Sequence, residues 1–213
     1  QVLSCVAVTI EGAVGVTPEL IRINLVNSSA STIVINTPGG GNFQRSAEGP
    51  LIRLISGGSA AHTVRVFSGA VGLASGVGEV FKCGSLTVGT SSFGDGVGST
   101  DEAPYVQIGD AAVLTGTHTV YNGNVDNEAT FVTISLLGEG GGWIQRKNGG
   151  ATITATAGVV DYRSNGTIGT AVTFTGDENS FLDMSGGIGA VTVPATMTFK
   201  GGSHPVDPHK RLT

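Results

Sequence analysis

Ala129-Thr130-Phe131-Val132-Thr133-Ile134, Ala151-Thr152-Ile153-Thr154, Ala171-Val172-Thr173-Phe174-Thr175 and Ala190-Val191-Thr192-Val193 begin 22, 20 and 19 residues apart. Each run alternates a small or polar residue with an apolar one, the period-two pattern of a strand with one buried face. The later three follow Asn148-Gly149-Gly150, Asn165-Gly166-Thr167-Ile168-Gly169-Thr170 and Gly186-Gly187-Ile188-Gly189, which read as turns. A spacing near 20 suits stacked coils, because one coil cannot bury its apolar face without neighbours. A meander of antiparallel hairpins with evenly spaced turns leaves the same row. Residues 105–200 are therefore expected to form a repetitive β region, a β-solenoid or a β-meander.

Outward from that stretch the chain stays β-rich but loses the even spacing. Short apolar runs occur at Val6-Ala7-Val8-Thr9-Ile10, Ile21-Arg22-Ile23-Asn24-Leu25, Thr32-Ile33-Val34-Ile35, Leu51-Ile52-Arg53-Leu54-Ile55, Thr63-Val64-Arg65-Val66-Phe67 and Glu79-Val80-Phe81. Arg22, Arg53 and Arg65 take alternate, outward positions, so residues 1–90 are expected to form an antiparallel, sandwich-like sheet with one solvated face. The three arginines read as solubility and edge protection rather than as an anion-binding surface. Residues 91–104, from Ser91 to Pro104, are rich in Gly, Ser and Asp and read as a linker. Residues 201–213 place Pro205 and Pro208 within four residues and read as an extended arm.

Composition supports an all-β fold throughout. Val, Thr and Ile fill 62 of the 213 positions and glycine another 35, both unfavourable in helices. Only 13% of residues are charged and mean hydropathy is positive at +0.22, the reverse of a disordered chain. That balance also points to apolar surface buried between chains. The net charge is −5 and the 11 Lys and Arg are scattered, which argues against nucleic-acid binding by phosphate neutralisation. No apolar stretch is long enough for a membrane-spanning helix. Cys5 and Cys83 are too few for a disulfide framework or a cysteine-built zinc site, and the reading leans to free, buried thiols.

Reactive motifs are scarce. No lysine follows a glycine, as a phosphate-binding P-loop would need, and neither a G-x-S-x-G elbow nor an H-E-x-x-H helix occurs. His62 and His118 lie in strand-like runs and read as surface or hydrogen-bonded strand residues. His204, Asp207 and His209 offer three ligand types within six residues, yet the intervening prolines stiffen the segment against converging on one ion. Asp177 and Asp183 share one inter-strand loop, and Asp126 and Glu128 share another about two repeats earlier. Were those loops aligned in stacked coils, a carboxylate from each could cleave a glycosidic bond, which needs the pair about 5–9 Å apart. Trp143 follows Gly138-Glu139-Gly140-Gly141-Gly142; it stacks on a sugar ring, inserts into a partner subunit or plugs the end of a barrel or coil.

The Gly-, Thr- and Val-rich texture of residues 112–200 resembles the β-solenoid and β-sandwich segments of bacteriophage virion proteins: tail spikes, fibres and capsid decoration proteins. The resemblance covers about half the chain and carries no diagnostic motif. It implies a non-enzymatic structural subunit of a virion or extracellular assembly, with copies of itself and neighbouring assembly subunits as partners. It implies no cofactor. The alternatives of other classes are a carbohydrate-active enzyme using the carboxylates above and a glycan-binding adhesin using Trp143.

Overall fold

The computed structural model describes residues 7–11, 21–25, 32–36, 50, 52–90, 103–147, 150–162, 173–183 and 196–199. They form thirteen strands: β1 (Ala7–Glu11), β2 (Ile21–Leu25), β3 (Thr32–Asn36), β4 (Ile52–Val66), β5 (Ala70–Leu73), β6 (Val80–Val88), β7 (Tyr105–Ile108), β8 (Val113–Leu114), β9 (Thr117–Asn127), β10 (Phe131–Gln145), β11 (Gly150–Tyr162), β12 (Thr173–Asp183) and β13 (Thr196–Phe199). No helix occurs among the described residues. All thirteen strands belong to one sheet, and every pairing in it is parallel.

The expected division into an antiparallel, sandwich-like first half and a solenoid or meander second half is thereby corrected. Strands β4, β5, β7, β9 and β6 pair in succession and close on themselves, a five-strand parallel barrel from which the remaining strands continue outward. The physical reason for the error is that period-two burial reports only that one face is covered. It is identical for either direction of the neighbouring strand. Strands on the two sides of residues 91–104 pair directly, Ala70 with Tyr105 and Leu86 with His118, so one sheet runs through both halves of the chain.

The ring closes because its long strands turn corners. In β4, Ile52–Leu54 pair with β5, whereas Ser56–Ser59 and Thr63–Val66 pair with β6. In β9, His118–Val120 pair with β6 and Asn124–Asn127 with β7. The runs beginning at Leu51 and Thr63, separate in the sequence reading, are thus one strand bent around the core. Glycine permits the bends: Gly57 has φ +82°, and a Cβ there would lie 1.6 Å from the Leu25 carbonyl oxygen. Gly123 in β9 has φ +93° and meets the Pro104 carbonyl oxygen at 2.3 Å in the same way.

Inside the bend the alternation builds continuous apolar files. Ile33, Val64, Leu86, His118, Ile134 and Ile153 stand opposite one another on successive strands, and all six are buried. On the other side of the core Ile52, Val71, Val106, Val125, Trp143 and Val160 form a second file. Trp143 makes an edge-to-face contact with Phe131, centroids 5.9 Å apart, which requires β10 itself to wrap around the core. Cys83 is a free thiol wholly inside, and burial pushes its pKa up to about 12. Because only the thiolate attacks, a thiol reagent at neutral pH is expected to label Cys83 no faster than the chain opens. Mass spectrometry with and without denaturant checks this, and rapid labelling of Cys83 in the folded protein would contradict the buried placement.

Candidate functional site

The charged groups gather where β9 and β10 end. Arg146 donates to Asp126 from both ends of its guanidinium, Nε to Oδ1 at 2.5 Å and Nη2 to Oδ2 at 2.7 Å, and the Tyr105 hydroxyl reaches Oδ2 at 3.4 Å. One residue on, Lys147 Nζ donates to Glu128 Oε2 at 2.5 Å and lies 3.7 Å from Asp110. The hydrogen bond to Asp126 holds Arg146 above its usual pKa, and the hydrogen bond to Glu128 does the same for Lys147. Both cations are well exposed, so solvent screens the pairs and each contributes no more than about 1 kcal/mol.

Beneath these ion pairs lies a buried amide network. Asn127 Nδ2 donates to Gln145 Oε1 at 2.8 Å and to the Ala129 carbonyl at 2.7 Å, while Asn127 Oδ1 accepts from the Ala129 amide at 3.1 Å. Gln145 Nε2 donates to the Ala129 carbonyl at 2.9 Å and the Lys147 carbonyl at 2.5 Å, and Trp143 Nε1 donates to Gln145 Oε1 at 2.9 Å. These amides occupy inward positions that Leu54, Leu73 and Ile108 fill on earlier strands. They satisfy backbone groups at the turn between β9 and β10, which would otherwise be buried without partners.

The carboxylates named from sequence separate here. Asp126 and Glu128 are each tied to a cation. Asp126 and Asp183 share one register file with Ile144 and Asp161 between them, three strand steps or about 14 Å apart. That is beyond the spacing of a glycosidase pair. The Asp183 side chain instead neighbours the register position of Asp161, and the Asp177 side chain lies outside the described residues. Trp143 is completely buried, so its ring fills the core and offers no face to a sugar from outside. His204, Asp207 and His209 lie outside the described residues, as does Cys5. Among the described residues no three His, Cys, Asp or Glu are grouped to hold a metal, and no helix is long and apolar enough to cross a membrane.

No protein-family model, curated protein or solved structure matches this chain.

Of the histidines, His62 is a hydrogen-bonded strand residue as expected, whereas His118 is not. His62 is buried with Nδ1 2.7 Å from Ser59 Oγ, and desolvation lowers its pKa, against a smaller opposing effect of a hydrogen bond with the Ser59 backbone. His118 is wholly buried in the apolar file and neither ring nitrogen has a hydrogen-bond partner, so burial pushes it down to about 4. Of the arginines, Arg22 and Arg65 are exposed. Arg53 is buried, donating Nε to the Pro50 carbonyl at 2.8 Å with Nη1 3.8 Å from Glu79. Arg53 faces Arg22 across β2 and β4, whereas Arg65 lies on the part of β4 that pairs with Thr87, so the three make no common anion site.

A further feature, carried by no local motif, lies on the outside of the sheet. Thr117, Thr133, Thr152, Thr173 and Thr196 occupy one register file on β9 to β13. Two residues along, Thr87, Thr119, Ser135, Thr154, Thr175 and Thr198 occupy a second on β6 and β9 to β13. The signal was present as Thr-x-Thr or Thr-x-Ser in each of β9 to β13. It could be assembled only when the register was known.

Proposed function

We propose that the protein is a non-enzymatic structural subunit of a virion or extracellular assembly that acts by associating with copies of itself. The observation that carries this reading is the way the sheet ends. Among the described residues β1 pairs only with β3, and β13 only with β12. Among the described residues each terminal strand thus leaves the backbone donors and acceptors of one side unpaired, a template for another chain.

Since all strands run parallel, the two ends are not equivalent, and adding a β13 edge to a β1 edge continues the sheet in the same sense. Such head-to-tail contacts build rings or filaments rather than two-fold dimers. The neutralised Asp126 and Glu128 and the solid apolar interior support a role without a reactive centre. Sedimentation velocity across the micromolar range tests the proposal. Concentration-dependent oligomers are expected, and a strict monomer throughout that range would refute it.

A further inference from the structure

We propose that the outer threonine face binds the surface of ice. The residues between the hydroxyl-bearing positions, His118, Val120, Ile134, Leu136, Ile153 and Ala155, are all buried, so alternation sends Thr117, Thr119, Thr133, Ser135, Thr152 and Thr154 outward. Thr175 continues the second file, and Thr173, Thr196 and Thr198 hold the corresponding register positions. The result is a two-dimensional array. Its repeats are about 4.8 Å from strand to strand and about 6.7 Å along a strand, and six strands extend it over about 24 Å.

The array is regular where the rest of the molecule is not. The register shifts between β9 and β10, β10 and β11, and β11 and β12 all fall beyond it, after Leu136 or Ala155. From β6 to β13 neither file contains a charged or aromatic residue; Arg65 and Val34 precede the second file at its far end. The other outer face of the same sheet shows that the fold does not impose this. There the corresponding files run Tyr105, Asn124, Gly142, Val159, Phe181 and Gln107, Asp126, Ile144, Asp161, Asp183. Strand propensity alone would have placed threonine on both faces.

Each threonine presents one hydroxyl and one methyl, and its branched Cβ holds χ1 nearly fixed. A periodic set of such groups matches a partner that is itself periodic, uncharged and built from hydrogen bonds. The two repeats lie close to the oxygen repeats on a prism face of hexagonal ice. The hydroxyls take the place of lattice waters and the methyls order the waters between them, at little immobilisation cost because each branched side chain has few χ1 rotamers to lose. A sugar surface would call for exposed aromatic rings, and an anionic polymer for a cluster of cations; from β6 to β13 the two files hold neither, and Arg65 stands alone beyond their far end. The inference does not rest on self-association, although copies joined end to end would lengthen the array.

Slow directional freezing of the purified full chain tests it, with the ice and liquid fractions measured by gel and crystal shape followed in the microscope. Enrichment in the ice and faceting of the crystals are expected. Thr152→Tyr, in the middle of the array, should reduce both several-fold, and Asn124→Tyr on the other face should leave them unchanged. Thr152→Val keeps the shape and removes only the hydroxyl; a partial loss is expected there, with folding confirmed by circular dichroism. Exclusion of the folded wild-type chain from ice overturns the proposal, as does undiminished activity in both Thr152 variants. Loss of oligomers on Thr152→Tyr with no wild-type enrichment in ice also overturns it, and assigns the face to a second copy.

Discussion

Trp143→Ala is expected to lower the unfolding free energy by about 3–5 kcal/mol, a large share of what a domain of this size has. The indole is the largest wholly buried side chain, so its removal leaves a cavity between Val125 and Val160, its register neighbours on β9 and β11. The edge-to-face contact with Phe131 goes with it. So does the 2.9 Å hydrogen bond to Gln145 Oε1, which takes one donor away from that buried oxygen. Trp143→Phe helps to separate the two contributions, since it keeps most of the apolar volume while deleting the N–H donor. Its cost should be near the lower figure of about 1–2 kcal/mol for an under-satisfied buried acceptor plus lost volume. Urea unfolding followed by far-UV circular dichroism measures both variants. A loss below about 1 kcal/mol for the alanine variant would mean that the ring does not fill the core.

Stability is expected to fall steeply on mild acidification, and His118 is the main cause. Its imidazole has an ordinary value of 6.5 and is pushed down to about 4 in the fold by burial without a hydrogen-bond partner. A base weakened by folding binds its proton more readily in the unfolded chain. Between the two values the unfolded state therefore takes up more protons, and stability rises with pH. The full contribution is present above pH 6.5 and is lost as pH falls toward 4; the shift corresponds to about 3 kcal/mol. Facing His118 are Leu86 on β6 and Ile134 on β10, with Cys83 the other titratable group on β6's buried side; it is neutral in this range. His62, also lowered, adds a contribution of the same sign. In His118→Leu the slope of stability between pH 4 and 6.5 should flatten, and stability at pH 7 should not fall, because two unsatisfied nitrogens are removed. An unchanged slope in the leucine variant would show that other groups govern the acid transition.

The starts of several strands were legible in the residues. The run at Ile21–Leu25 is a strand as read, and those at Thr32, Ala151 and Ala171 start within a residue or two of β3, β11 and β12. Strands β11 and β12 continue eight residues further, so that Asp177 and Asp183 stand in a strand and not in an inter-strand loop. The run beginning at Ala190 falls outside the described residues. Local burial alternation suffices for such readings, because it is a property of consecutive side chains. The corners were less legible. The stretch Ser56-Gly57-Gly58-Ser59 reads as a break between two strands, yet the backbone passes through it in ladder register with β2 and β6. Trp143 and the carboxylates carried no local mark of their surroundings. Whether an indole is a binding platform or a core plug depends on what lies across the barrel, and whether Asp126 is a base or an anchor depends on Arg146, 20 residues away.

By itself, then, the sequence determined an all-β chain and many of its strand segments, because these follow from β-branched content, glycine punctuation and period two. The buried side was legible where alternation is clean, but not at Arg53, which reads as outward and is buried. Only the tertiary structure decided that the strands run parallel, that five of them close into a ring, that His118 points inward and that the threonines fall into two files. Strand direction and register are relations between residues 16 to 35 positions apart. They are set by how corners and connections let distant segments meet, and no local pattern carries that information.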